Sequence, residues 1–302
     1  MNFRNQARAL LMQAASITGA DVLALRLQKR RARTQAIVIA IHETPADLEA
    51  QFRQQLEFAS EHFTITSLEG FGQLWEEGFQ PAIGSKPLVL FTFDDGRESN
   101  YTVAAPLLES FGGRGVFFVV PAFAERASGE GLSFYRARVN PDSAPASDEV
   151  EDWKPMNPAQ IADLARRGHA IGNHTFNHER LIGLSLEALE SEIGDSARLL
   201  ASWTNKSIDA FAWTFGWDAI DANAWRTVQR YHRFCFSPCA GPIDPSCDHP
   251  SLLWRREIEV RYSVPEYSFC YSGVVDLFWR GRRERLRKMV QSAAGADVKQ
   301  RR

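Results

Sequence analysis

The sequence predicts a parallel α/β protein, its sheet either open or closed into a barrel. Three observations carry that expectation. The runs "AIVIAIHET", "LVLFTF" and "GRGVFFVVPAF" hold continuous apolar stretches of strand length, as in strands covered on both faces. Segments of helical period separate them, giving the strand–helix alternation of parallel sheets. Polar, chemically active residues follow the strands directly, at the C-terminal ends where such folds gather their sites.

In chain order, residues 4–33 read as helix, broken near Thr18-Gly19, with Thr18 or Asp21 capping the second segment. After the first strand, "ADLEAQFRQQLEFASEHF" places Leu48, Phe52, Leu56 and Ala59 on one helical face. "TITSLEGFGQLWEEG" reads as a short strand and a helix, and the strand at 88–93 precedes a helix over 101–111. A loop of about 30 residues follows "GRGVFFVVPAF" and contains the polar, Pro-rich "NPDSAPASDEVED"; loops of that length in compact domains are functional or mobile. Asn157, with Pro158 after it, caps a helix leading to the short strand "HAIG". Ser185 caps the long helix "SLEALESEIGDSARLLASWT". "IDAFAWTFG", "AIDANAWRTVQRYH" and "RFCFS" then read as strand, helix and strand, with "EIEVRY" as the last strand.

Composition narrows the function classes. The net charge of −2 is unevenly spread: residues 1–33 carry seven Lys/Arg and one acid, residues 280–302 nine and two, leaving the middle at about −15. An acidic middle argues against a nucleic-acid-binding core. Basic ends suit peripheral contact with an anionic membrane, or are simply solvated helix faces. No apolar run reaches the length of a membrane span. Gln13 interrupts the apolar patch near the N-terminus, and the basic "RLQKRRAR" follows, so we expect no export signal and a cytoplasmic, or membrane-associated, location. Cys235 and Cys239 have no second pair at zinc-finger distance, and Cys247 and Cys270 complete the set; reduced thiols without a function are the expectation. The domain expectation is a basic helical extension over 1–35, a single barrel-sized domain over 36–279 and a basic tail over 280–302.

Two motifs carry chemistry. In "TFDDG" the strand ends in two adjacent carboxylates, Asp94 and Asp95, costly together unless a cation sits nearby. In "GNHTFNHERL", His174 and His178 lie four apart; on a helical turn both imidazoles would share one face. Two histidines and one carboxylate make a divalent-metal triad with open positions, leaving the other Asp free to act as a general base.

These residues resemble a family. "TFDDG" at Thr92–Gly96 and H-T-x-x-H at His174–His178 are similar to the first two motifs of the polysaccharide deacetylases, the NodB-homology domain of carbohydrate esterase family four. "LARRGHAIGNHT", "IAIHET" and "FAWTFGWDAIDANAWRTVQRYHRFCFSPCAG" extend the resemblance from about residue 37 to about residue 262. The resemblance implies a distorted (β/α) barrel, here with an N-terminal helical extension, and a divalent metal, Zn²⁺ or a similar ion. It implies removal of N-acetyl or O-acetyl groups from an acetylated carbohydrate. Asp95, His174 and His178 would hold the metal, Asp94 would be the base, a metal-bound water the nucleophile, and a backbone N–H near the third motif would aid the oxyanion.

The chain departs from the family pattern in its third motif and at its end. The position of the family's base-orienting Arg falls near Ala212, Thr214 replaces a Pro before Phe215-Gly216, and the late Leu-x-His motif is absent. Beyond His178 only His232 and His249 remain. His42, ending a strand, is the candidate substitute acid, and Arg255 or Arg256 the candidate replacement for the missing Arg. Trp213, Phe215 and Gly216 are the expected substrate contacts, with Trp217 extending an aromatic platform. The alternatives are hydrolysis of a cyclic, non-peptide amide on the same fold and a catalytically impaired sugar-binding protein.

Overall fold

The computed structural model describes residues 36–77, 86–141 and 153–300. The expected helices over 4–33 therefore lie outside the described residues. The strands are β1 (Ala36–Ile41), β2 (Thr64–Thr66), β3 (Leu88–Phe93), β4 (Val116–Val119), β5 (Ala170–Asn173), β6 (Ala210–Ala212), β7 (Phe234–Ser237), β8 (Leu253–Trp254) and β9 (Arg256–Glu257). All pair in parallel in the order β8-β7-β6-β5-β4-β3-β1-β9, with β2 beside the first half of β3. This is a nearly closed, distorted (β/α) barrel of the NodB type.

One extended segment closes it. β8 pairs with β7, β9 pairs with β1, and Arg255 alone separates the two pairings. The Arg255 N–H donates to Cys239 O at 2.9 Å and the Ile258 N–H to Ala40 O at 3.0 Å, so the same strand zips both edges. Every side chain of β1 is buried, as its continuous apolar run requires. Its alternate residues divide between two cores: Ile37, Ile39 and Ile41 pack with Phe52 and Leu56 of helix Glu49–His62, while Val38 joins Leu90, Phe118 and Phe236.

Two expectations change. The loop after β4 is helical over Gly131–Phe134 and Tyr135–Val139, because Phe134 and Tyr135 bury against Phe123 and supply an apolar anchor that the polar stretch after them obscures. The boundary expected between 279 and 280 falls inside one helix, Asp276–Gln300, whose Leu286, Val290 and Ala293 are buried in the second core. Arg280, Arg282, Arg285 and Lys288 are exposed on this docked helix, whereas Arg283 and Arg287 turn inward to Ala240 O and Asp248. Among the described residues, no helix is long and apolar enough to cross a membrane.

Candidate active site

Strand parity sets the first half of the site. Thr92 and Asp94 are two apart and share a face of β3 and its extension, and both accept from Arg255. Asp95 would then point the opposite way. Its φ of 72° turns the chain, so both carboxylates open into one cavity of about 550 Å³. Gly96, with φ of 77°, continues that turn; a Cβ there would sit 3.4 Å from Val119 Cα.

The second half comes from the segment after β5. His174 and His178 do not share a helical turn: residues 174–181 are irregular, and Thr175 and His178 adopt φ of 62° and 55°. Side-chain anchors hold this unfavourable path. Asn177 donates its backbone and side-chain N–H groups to the two oxygens of buried Glu192 at 2.9 and 2.7 Å, and Glu179 N–H donates to Thr175 Oγ1 at 3.0 Å.

The histidines are oriented by backbone carbonyls. His174 Nδ1 lies 2.9 Å from Ala212 O, and His178 Nδ1 2.9 Å from Arg138 O. A carbonyl only accepts, so each Nδ1 carries the proton and each Nε2 keeps a bare lone pair. Both Nε2 atoms lie 3.7 Å from Asp95 Oδ1. Burial holds His174 near a pKa of about 4, so it is neutral at neutral pH. The candidate ligand atoms of Asp95, His174 and His178 lie within 4.8 Å of one another, and all three residues are buried. Two bare imidazole nitrogens and a carboxylate oxygen converging in this way fit a divalent cation such as Zn²⁺.

Asp95 and Asp94 have different cationic partners. Arg97 Nη2 donates to Asp95 Oδ2 at 3.3 Å and to Tyr135 OH at 3.1 Å, and Arg97 Nη1 to Glu43 Oε2 at 3.1 Å. Burial raises the Asp95 pKa, but Arg97 and the surrounding histidines bring it below the usual range. Asp94 receives both prongs of Arg255, at 2.6 and 2.9 Å. Burial opposes its ionisation, yet Arg255, His174 and His42 hold its carboxyl well below the usual range.

Arg255 therefore stands where the sequence reading wanted a replacement arginine. Arg256, the other candidate, faces away and pairs with Asp276 at 2.7 Å. Arg97, Glu43 and Tyr135 escaped the sequence reading. An arginine two residues after Asp95 was the available signal for the first of them.

His42 lies at the cavity, with Nε2 3.9 Å from Asp94 Oδ2 and Nδ1 3.9 Å from Glu257 Oε1. Desolvation pulls its pKa down, but the charges of Asp95, Asp94 and Glu257 leave it raised. Asn100 fixes the strand ends by donating to His42 O at 3.3 Å and Asp94 O at 3.4 Å. His232 and His249 lie off the cavity, the first bound to Ile208 O and Asn173 and the second to Ser251. Trp213 and Phe215 line the cavity; Gly216 adjoins Phe215 without lining it. The buried Trp213 Nε1 has no hydrogen-bond partner among the described residues, and Phe215 lies 4.9 Å from the His178 ring with φ of 60°. Trp217, expected to extend the platform, instead lies beneath the guanidinium groups of Arg282 and Arg285.

Comparison with known proteins bears on the family and the fold. The family model for polysaccharide deacetylase matches residues 82–232. A peptidoglycan-N-acetylglucosamine deacetylase of Bacillus cereus is 24% identical over 125 residues, covering 41% of this chain and 45% of that protein. YxkH of Bacillus subtilis is 24% identical over 132 residues, covering 44% of this chain and 38% of that protein. The chain thus aligns with less than half the length of either curated relative. Among solved structures, the Streptococcus pyogenes deacetylase PplD, in complex with acetate, superposes with a TM-score of 0.60 at 20% identity, covering 78% of this chain and 96% of that one. The BpsB deacetylase domain of Bordetella bronchiseptica gives 0.57 at 18%, covering 75% and 96%. With its two motifs converging on one cavity of a matching barrel, the chain belongs to the polysaccharide deacetylase family.

Proposed function

We propose that this protein hydrolyses acetyl groups, chiefly N-acetyl, from a glycan or glycan precursor, with a divalent cation held by Asp95, His174 and His178. The observation that carries this reading is the split of one Asp-Asp pair. Asp95 faces two bare imidazole nitrogens, and Asp94 is locked by Arg255 beside them. A cation bound there would polarise the acetyl carbonyl and acidify a water molecule.

The chain's own groups complete the reaction. Asp94, held ionised, accepts a proton from the attacking water. Arg255 grips both of its oxygens, so the carboxylate is already placed when substrate arrives. The C–N bond then breaks, and the departing nitrogen takes a proton from His42, giving acetate and a free amine. The partnerless Trp213 Nε1–H offers a donor to the bound sugar or acetyl oxygen. Phe215 at the mouth offers an apolar face to a sugar ring.

The test is acetate release from acetylated chito-oligosaccharides by the purified chain supplied with Zn²⁺. The parent should release one acetate per amine formed, and Asp94→Asn should be slower by about 10²-fold or more. A parent that releases no acetate, or an Asp94→Asn variant with parental rates, would overturn the proposal.

A further inference from the structure

Among the described residues, six large hydrophobic side chains are exposed: Ile182, Leu186, Phe215, Val264, Leu277 and Phe278. Five of them lie on three segments that touch one another, and one of these segments reaches the cavity lip at Phe215. The loop carrying Ile182 and Leu186 is tied to the segment after β6: Arg180 pairs with Asp218 at 2.8 Å and Gly183 N–H donates to Asp221 Oδ2 at 2.9 Å. That second segment starts at Phe215, on the cavity lip, and continues to Trp217. Trp217 lies beneath Arg282 and Arg285, whose helix begins with Leu277 and Phe278 at 72% and 58% exposure. Soluble surfaces seldom gather large apolar side chains in this way without a partner.

The charge on these segments selects the partner. Arg280, Arg282 and Arg285 are exposed, and none has a carboxylate partner among the described residues. Exposed Leu277 and Phe278, with three exposed arginines in the first turns of the same helix, suit the interfacial zone of an anionic bilayer. Residues 1–35 are a poor cover for these segments, since seven Lys/Arg and one acid over 1–33 would meet their arginines.

We propose that Leu277, Phe278 and the neighbouring arginines, together with Ile182, Leu186 and Phe215, dock the protein on an anionic phospholipid surface. The cavity mouth would then lie at the membrane, where an acetylated sugar is presented from the bilayer. The docking does not depend on the chemistry assigned to the cavity, and its test reads no turnover.

The test is co-sedimentation of the full chain with phosphatidylcholine vesicles, with and without about one third phosphatidylglycerol. The parent should bind the anionic vesicles and not the neutral ones, and lose binding as salt rises. The double variant Leu277→Ser/Phe278→Ser and the single variant Arg280→Glu should each bind at least about tenfold more weakly, with unchanged thermal midpoints. Val264→Ser, exposed but outside these three segments, should bind like the parent. The proposal fails if the parent ignores anionic vesicles, or if the double variant binds as tightly as the parent, the result expected were residues 1–35 the anchor. It also fails if light scattering shows a parental dimer that the double variant dissolves, since a second copy would then be the occupant.

Discussion

Two histidine–carboxylate clusters, each built on buried histidines, sit at opposite ends of the barrel, and they use the same side chains in opposite ways. At the N-terminal ends of β4 and β5, His169 Nδ1 accepts from the Gly115 N–H at 3.0 Å, so its proton sits on Nε2 and is directed to Glu109 at 2.8 Å. Glu109 is further bound by Arg167 at 2.9 Å. Both ring nitrogens of His169 are satisfied. At the C-terminal ends, His174 and His178 spend Nδ1 on carbonyls and leave Nε2 bare towards Asp95. Among the described residues, four of the five non-glycine residues with positive φ, Asp95, Thr175, His178 and Phe215, lie at this second end. Tautomer and backbone turn, more than residue type, separate a cluster that holds the fold together from one that can hold a ligand.

The comparison can be broken at either end. The largest effect is expected for His174→Ala, which should abolish metal binding and reduce acetate release to background, measured by metal analysis after dialysis. Asp94→Asn should keep the metal and lose about 10²–10⁴ in turnover. Arg255→Lys should retain a charge but not the two-pronged grip, slowing turnover by about 10- to 100-fold. Its pH–rate profile should also move. Arg255 holds Asp94 below its ordinary 3.8, so relaxing that grip raises the pKa and shifts the acid limb to higher pH. The same sign applies to stability. The contribution of a carboxylate depressed on folding is complete above its unfolded pKa and fades as pH falls through the folded value. At the other end, His169→Ala should cost about 1–3 kcal/mol of stability by leaving the buried Gly115 N–H unsatisfied, with turnover per folded molecule unchanged.

The sequence made Asp94, Asp95, His174 and His178 legible because motif and strand end coincide there. It did not distinguish Arg255 from Arg256. Neighbours on a strand face opposite ways, and the parity of a closing segment that switches partner after two residues is set only by its register with β7 and β1. The convergence of the two histidines was legible, though its cause was misread: a helical turn was expected, and paired left-handed residues supply it. Ala212 O and Arg138 O, which fix both tautomers, are backbone atoms and leave no trace in residue identity. Tyr135, which steadies Arg97, was hidden in a segment whose following polar run suggested a loop throughout. The basic C-terminal stretch was read correctly for charge, but its buried face, Leu286, Val290 and Ala293, shows through only once helical spacing begins at Asp276.

The division of labour between Asp94 and Asp95 is tested most directly by Zn²⁺ titration calorimetry on the parent, His174→Ala and Asp94→Asn chains, paired with acetate release from the same samples. One Zn²⁺ should bind per parent chain, none to His174→Ala, and one with near-parental affinity to the slow Asp94→Asn. Loss of Zn²⁺ binding in Asp94→Asn equal to that in His174→Ala would make both aspartates ligands and contradict the account.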